Sequence, residues 1–337
     1  VKLYDTLRDH TPVALFPREI DYTEWQTLRR YPILNWNMGM TYRLRERDER
    51  VYPQGELARR TIGQVGDKGS YGVEYVLRDV LEGRDGKARR QRIARGFYGR
   101  VVGGDNSEPE DGLDVVTTLD LEMQDVADRA LRRQLEAQNA LWGTALVMEV
   151  ATGDLLAMAN LSRTKSGAYA EVKNHALSSR MEPGSTFKLA ALLALVDDAG
   201  MSLDETFDTG NGARVKVGRT TVQDSHGLPP LNLKDAVAHS SNVFFARAVY
   251  ETYKDDPERY VDYLRHLHLD RTVGLEEFGA VAPIFPAPGM KIWYPDVSIV
   301  NMGYGYAIEL TPLHTLTLYN AVANDGCMVA PRLVRGN

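Results

Sequence analysis

A chain of 337 residues is longer than one average domain, so its length favours two. With 43% hydrophobic and 26% charged residues, its composition excludes a disordered or fibrous protein and supplies apolar material for real cores. The net charge of −6 is uneven, 20 basic against 17 acidic residues over 1–110 and 20 against 29 over 111–337. In the first part bases alternate with acids, as in "RLRERDER", and no aromatic–basic platform accompanies them, which speaks against nucleic acid as a partner.

Residues 1–110 read as short strands and turns with a few helical patches, punctuated by glycine and charge. "VVGGDNSEPEDGLD" (101–114), rich in Gly and acids, reads as a linker and puts a domain boundary near residue 110. "LDVVTTL" then reads as a strand. "DLEMQDVADRALRRQLEAQN" reads as an amphipathic helix with Leu121, Met123, Val126, Ala127, Ala130, Leu131 and Leu135 near one face. "GTALVMEVATGDLLAMAN" is two apolar runs joined by "ATGD", a hairpin. "MEPGSTFKLAALLALVDDAG" (181–200) opens a helix whose buried side is read as Leu189, Leu192, Leu193 and Val196. Its apolar stretch, the longest in the chain, is too short to cross a bilayer, and the N-terminus carries no signal-peptide pattern. A Gly-rich, hairpin-like stretch follows over 208–227, then two helical segments flanking "HSSN". The last helix takes Thr311 as N-cap and Pro312 at its first position, and ends near Gly326. Strands first and helices second, joined by antiparallel connections, make an α+β order. The single cysteine, Cys327, excludes an internal disulfide.

Lys188 raises the chemical question: a cation three residues after Ser185, where a buried helix would be better served by Leu or Ala. Positions i and i+3 on a helix are neighbours, about 5–6 Å apart at Cβ, so Oγ and Nζ can meet. Pro183 and Gly184 break the chain and put Ser185 in the first turn, where unpaired N–H groups carry partial positive charge. Its own N–H can form half of an oxyanion hole there. Lys188 can act as a general base only if its surroundings lower its pKa. Taken alone, Ser-x-x-Lys is a common pattern, and a lysine snorkelling from the helix edge is the plainer explanation. Ser240-Ser241-Asn242, 55 positions after Ser185, also has two readings. It is a helix cap, or Ser240 relays a proton while Asn242 holds a substrate carbonyl or Lys188. The seven histidines are scattered; His266 and His268 alternate as on a strand or loop with no third ligand, so neither metal nor organic cofactor is expected.

Ser-x-x-Lys with a Ser-x-Asn triplet belongs to the motif set of penicillin-binding enzymes, and the resemblance widens from there. "VYPQGELARRTIG" and "YGVEYVLRDVLEGRDG" resemble the end of the N-terminal pedestal of class B penicillin-binding proteins. "DGLDVVTTLDLEMQDVADRAL", "GTALVMEVATGDLLAMAN", "EPGSTFK", "HSSNV" and "NMGYGYAIELTPLHTLTLYNAVANDG" resemble successive blocks of their catalytic domain, in order. The chain is most similar to the cell-division type of the Bacteroides group. The resemblance implies a strand-rich pedestal over 1–110 and a transpeptidase domain over 111–337, an antiparallel sheet flanked by helices with a helical subdomain. It further implies Ser185 as acylated nucleophile, Lys188 as its base, and Ser240 and Asn242 as second catalytic motif, with Gly184 and Ser241 binding substrate. The implied substrates are peptidoglycan stem peptides ending in D-Ala-D-Ala and an acceptor amine, with β-lactams as mimics. A periplasmic location, an N-terminal membrane anchor upstream, and a glycosyltransferase of the division machinery as partner are implied as well.

The family's third motif, Lys-Thr/Ser-Gly on an edge strand, is expected beyond Asn337. Lys165-Ser166-Gly167 and Lys216-Val217-Gly218 precede Ser240 and are read as coincidences. Phe244 and His314 stand where the family often has Gly and Gln; both are read as packing differences. A serine β-lactamase or penicillin sensor would need a base for a deacylating water, and no glutamate stands in a recognisable motif for it. A non-catalytic scaffold would have no need to keep Ser185, Lys188, Ser240 and Asn242 together.

Overall fold

The computed structural model describes residues 22–28, 30–31, 51–66, 69–87, 90–94, 97–100, 107 and 110–335. By contact the chain forms two compact units, residues 1–51 with 85–110, and residues 52–84 with 111–337. In the first unit the described elements are helix α1 (Tyr22–Leu28) and an antiparallel hairpin, β1 (Arg90–Ala94) with β2 (Phe97–Arg100). The expected strand-rich pedestal lies largely outside the described residues.

The second unit begins earlier than the sequence suggested. Residues 52–84, grouped with the pedestal in the sequence reading, fold as short helices: α2 (Arg59–Ile62), α3 (Gly72–Val76) and α4 (Arg78–Leu81). Val73 is buried in a core with Leu155, Met158, Leu177 and Leu313. The Arg60 N–H donates to Glu171 Oε2 at 2.8 Å, and the Leu113 N–H to Val80 O at 2.9 Å. A Cβ on Gly112 would lie 1.8 Å from Leu81 O, so what reads as the end of a linker is a tight backbone contact.

"LDVVTTL" is extended but is not a strand. Its ladder is one isolated antiparallel bridge, Thr117 with Val334, closed by Thr118 N–H to Leu333 O and Arg335 N–H to Val116 O. Helix α5 (Leu121–Ala137) follows, capped by Asp120, whose side chain accepts the Met123 N–H. Its buried positions are Gln124, Ala127 and Leu135, whereas Leu121, Met123 and Val126 are exposed. The seven apolar residues span too wide an arc for one sheet to cover. The hairpin forms as expected, β3 (Trp142–Met148) against β4 (Leu155–Arg163), and β5 (Tyr169–Ala170) adds a third antiparallel strand.

Short helix α6 (His175–Ser178) leads from the sheet to the turn containing Ser185. Helix α7 (Lys188–Leu193) continues a 3₁₀ turn (Gly184–Phe187) and ends in a π-turn (Ala194–Asp198). Two short pairs follow, β6 (Thr206–Phe207) with β9 (Leu231–Asn232) and β7 (Val215–Val217) with β8 (Thr220–Val222). The helical block comprises α8 (Leu233–His239), α9 (Asn242–Tyr253), α10 (Pro257–His266), α11 (Ser298–Met302) and α12 (Pro312–Ala323). Its core joins Phe187, Ala190, Ala191, Ala194 and Leu195 to Phe244, Phe245, Val249 and Tyr260. The buried side of α7 is therefore its alanine side. Leu189, Leu192 and Leu193 are half-buried and Val196 is exposed, because small residues let α9 approach closely. The structure is mixed, helices around antiparallel strand pairs, and among the described residues no helix is long and apolar enough to cross a membrane.

Candidate active site

Ser185 sits where the sheet core gives way to the helical core, and its turn is pinned from outside. Met181 and Leu310 exchange backbone hydrogen bonds of 2.9 Å. The Gly184 N–H donates to Gly305 O at 2.9 Å, and the Ala307 N–H to Glu182 Oε1 at 2.9 Å. Tyr319 Oη donates to Thr186 O at 3.0 Å. Gly184 has φ +56°, a left-handed turn that glycine adopts without strain. Gly305 lies so close beneath it that a Cβ would meet Gly184 O at 1.8 Å. With its N–H committed to Gly305, Gly184 shapes the turn that carries Ser185.

The helix phase then brings Lys188 back beside Ser185, with Nζ 3.2 Å from Oγ. Lys188 does not snorkel: it is only 5% exposed. Its ammonium end meets the second triplet, 3.0 Å from Ser240 Oγ, 2.5 Å from Ser240 O and 2.6 Å from Asn242 Oδ1. The Phe245 ring centroid lies 5.9 Å away. Burial pulls the Lys188 pKa down to about 8, while the negative charge of Asp224 acts in the opposite direction. The structure thus brings together Ser185, Lys188, Ser240 and Asn242.

The triplet is the junction of two helices. Ser240 ends α8 in the left-handed region (φ +51°, ψ +44°), an uncommon conformation for serine that turns its carbonyl oxygen onto Lys188. Ser241 N-caps α9, accepting the Phe244 N–H at 3.0 Å and donating to Asp224 Oδ2 at 2.7 Å. At 1% exposure it is buried, and both bonds of its hydroxyl serve the cap. Cap and chemistry are not alternatives here: Ser241 caps the helix, and its neighbours on either side reach the lysine.

Asp224, which sequence reading missed, accepts three hydrogen bonds from residues 241–243. A lone acid after a short strand gives no warning of this. Lys165-Ser166-Gly167 lies in the turn between β4 and β5, and Lys216 and Val217 lie on β7, with Gly218 packed against Asp296 and Tyr250. His266 ends α10, and His268 is left-handed in the turn after it, not on a strand. Among the described residues no group of three His, Cys, Asp or Glu could hold a metal ion. Phe244 and His314 pack: Phe244 meets Phe207 and Phe245 edge-on, and the buried His314 bonds Thr311 Oγ1 and Arg271 O.

Residues 143–336 match the family described as penicillin binding protein transpeptidase domain. The chain is 30% identical over 305 residues to penicillin-binding protein PbpB of Mycobacterium tuberculosis, a match covering 86% of this chain and 43% of that one. It is 27% identical over 292 residues to the probable peptidoglycan D,D-transpeptidase PenA of Neisseria meningitidis, covering 83% and 48%. Among solved structures, penicillin binding protein 3 of M. tuberculosis complexed with aztreonam superposes with a TM-score of 0.69 at 28% identity, covering 84% of this chain and 60% of that one. The chain spans less than half the length of these two curated relatives.

Proposed function

Because the chain belongs to the penicillin-binding protein transpeptidase family, we propose that it is a peptidoglycan D,D-transpeptidase working through an acyl-enzyme on Ser185. The observation that carries this reading is the buried Lys188, held between Ser185 and the Ser240–Asn242 junction. A neutral amine has two N–H groups and one lone pair. The two shortest contacts are to carbonyl oxygens, of Ser240 and of the Asn242 amide, and these take both N–H groups. The lone pair is left for a hydroxyl, and the two within reach are Ser240 Oγ at 3.0 Å and Ser185 Oγ at 3.2 Å, which suits a base that takes the proton of Ser185 and returns it through Ser240.

In the proposed reaction Ser185 Oγ attacks the carbonyl carbon of the penultimate D-Ala, and its proton passes to Lys188 Nζ. The Ser185 N–H, in the first turn of its helix, donates to the developing oxyanion. The C–N bond to the terminal D-Ala then breaks, and its nitrogen takes the proton through Ser240 Oγ. An amine of a second stem peptide attacks the ester and gives up a proton by the reverse route; the peptide bond forms and Ser185 is restored. β-Lactams would acylate the same oxygen. A periplasmic site of action, an anchor upstream, and work in septal wall synthesis beside a glycosyltransferase belong to the same proposal.

Intact-mass analysis after incubation with a penicillin, beside Ser185→Ala, tests it. A long-lived adduct on the parent only is the expected result. An adduct that hydrolyses rapidly would favour a β-lactamase, and its absence a non-catalytic scaffold.

A further inference from the structure

The two motifs do not hold each other in place by themselves. Asp224 lies two residues beyond β8, is 6% exposed, and directs both carboxylate oxygens at the start of α9. Its Oδ1 accepts the N–H groups of Asn242 (2.5 Å) and Val243 (3.2 Å), and its Oδ2 accepts the Ser241 hydroxyl (2.7 Å). The first N–H groups of a helix have no partner within it, and a negative charge is favoured at that end. Ser241 covers only the Phe244 N–H, so Asp224 completes the cap from another part of the chain. The residues it grips are those around which Ser240 O and Asn242 Oδ1 are turned onto Lys188. Its charge is also the one acting on that buried amine, where it favours the ammonium against the effect of burial.

We propose that Asp224 is a positioning residue for the reaction: it fixes the 240–242 junction in register and sets its carboxylate behind the groups that hold Lys188. This rests on reading Ser185 and Lys188 as nucleophile and base. The groups facing the amine are Ser185 from the nucleophile turn, Ser240 and Asn242 from the α8–α9 junction, and the Phe245 ring from α9. Two histidines lie near these residues in sequence, His226 two residues after Asp224 and His239 beside Ser240, their rings edge-to-face at 6.4 Å.

The test is the rate of acylation by a chromogenic penicillin, measured against pH for the parent chain, Asp224→Asn, Asp224→Ala and His226→Gln. Asparagine keeps the shape and an accepting oxygen but not the charge, so its acid limb is expected to move to lower pH. Alanine also removes the grip on the junction and is expected to lower the acylation plateau above the limb roughly 10²-fold. His226→Gln is expected to leave the limb where it is. Thermal melting establishes that each variant is folded; if Asp224→Ala is not, Asp224→Asn carries the test alone. A limb unmoved in Asp224→Asn, a limb moved by His226→Gln, or a folded Asp224→Ala that acylates like the parent overturns the proposal. A parent chain that takes no adduct on Ser185 overturns instead the reading on which it rests.

Discussion

A lysine with a pKa near 8 is protonated for most of the time at neutral pH, and only the neutral fraction can take the Ser185 proton. The acylation rate should therefore rise through an acidic limb near that value and level off above it. Stopped-flow acylation between pH 6 and 10 checks this, and a flat profile would remove Lys188 from the role of base. Lys188→Arg keeps the charge and much of the reach but cannot deprotonate in this range. It should lose roughly 10²–10⁴-fold in acylation, with melting followed alongside to register the cost of the larger guanidinium in a buried site. Gly305 supports the same serine by steric means. Gly305→Ala would press a methyl group into the Gly184 carbonyl at a backbone φ of +91°, so a loss on the order of 1–3 kcal/mol is expected, with slower acylation. Urea titration beside the penicillin assay measures both; a variant that is destabilised yet acylates normally would show that the turn tolerates the shift.

At the scale of elements, one neutral histidine ties the sheet to the segment that leads into the Ser185 turn. His175, on α6, bonds Ser162 of β4 through Nε2 at 2.7 Å and Ser179 through Nδ1 at 2.8 Å, with Trp142 of β3 stacked on its ring at 4.2 Å. Burial pulls its pKa down to about 4. The unfolded chain takes a proton on this ring near 6.5 and the folded chain only near 4, so the unfolded state holds more protons across that window. Stability is fully present above pH 6.5 and falls as the pH drops through 4, by up to about 3 kcal/mol. The stability difference between the parent and His175→Gln should shrink over the same window in chemical denaturation; a constant difference would refute the assignment. The same scale shows where sequence pattern misleads. The leucines of α7 read as its buried side, but close helix packing selects Ala190, Ala191 and Ala194. In α5 the apolar arc is wider than the sheet it covers, which leaves Leu121, Met123 and Val126 in solvent.

At the scale of the molecule, residues 52–84 join the unit that carries Ser185, although a charge and composition break lies after them. If that assignment holds, the amides of Arg60 and Leu113 should exchange hydrogen as slowly as those of Met158 and Asn160, since all four end on partners within one unit. Hydrogen exchange followed by mass spectrometry checks it, and loop-like exchange at Arg60 and Leu113 would detach the segment. Contacts of this kind are invisible in composition, because Glu171 receives the Arg60 N–H from 111 positions away.

The sequence by itself determined the local items: the β3–β4 hairpin from two apolar runs, α12 from Thr311 and Pro312, and the meeting of Ser185 with Lys188 from a three-residue step on a helix. Each rests on spacing within a few residues, which backbone geometry converts directly into position. The resemblance of ordered blocks supplied the link from Ser185 to Ser240 and Asn242. Only the tertiary structure decided that Lys188 is buried, that Ser241 faces inward as a cap, that Gly305 lies beneath Gly184, and that Asp224 grips the second motif. Those depend on partners 17 to 121 positions away, and no periodicity carries such information, because packing fixes it only once the chain has closed on itself.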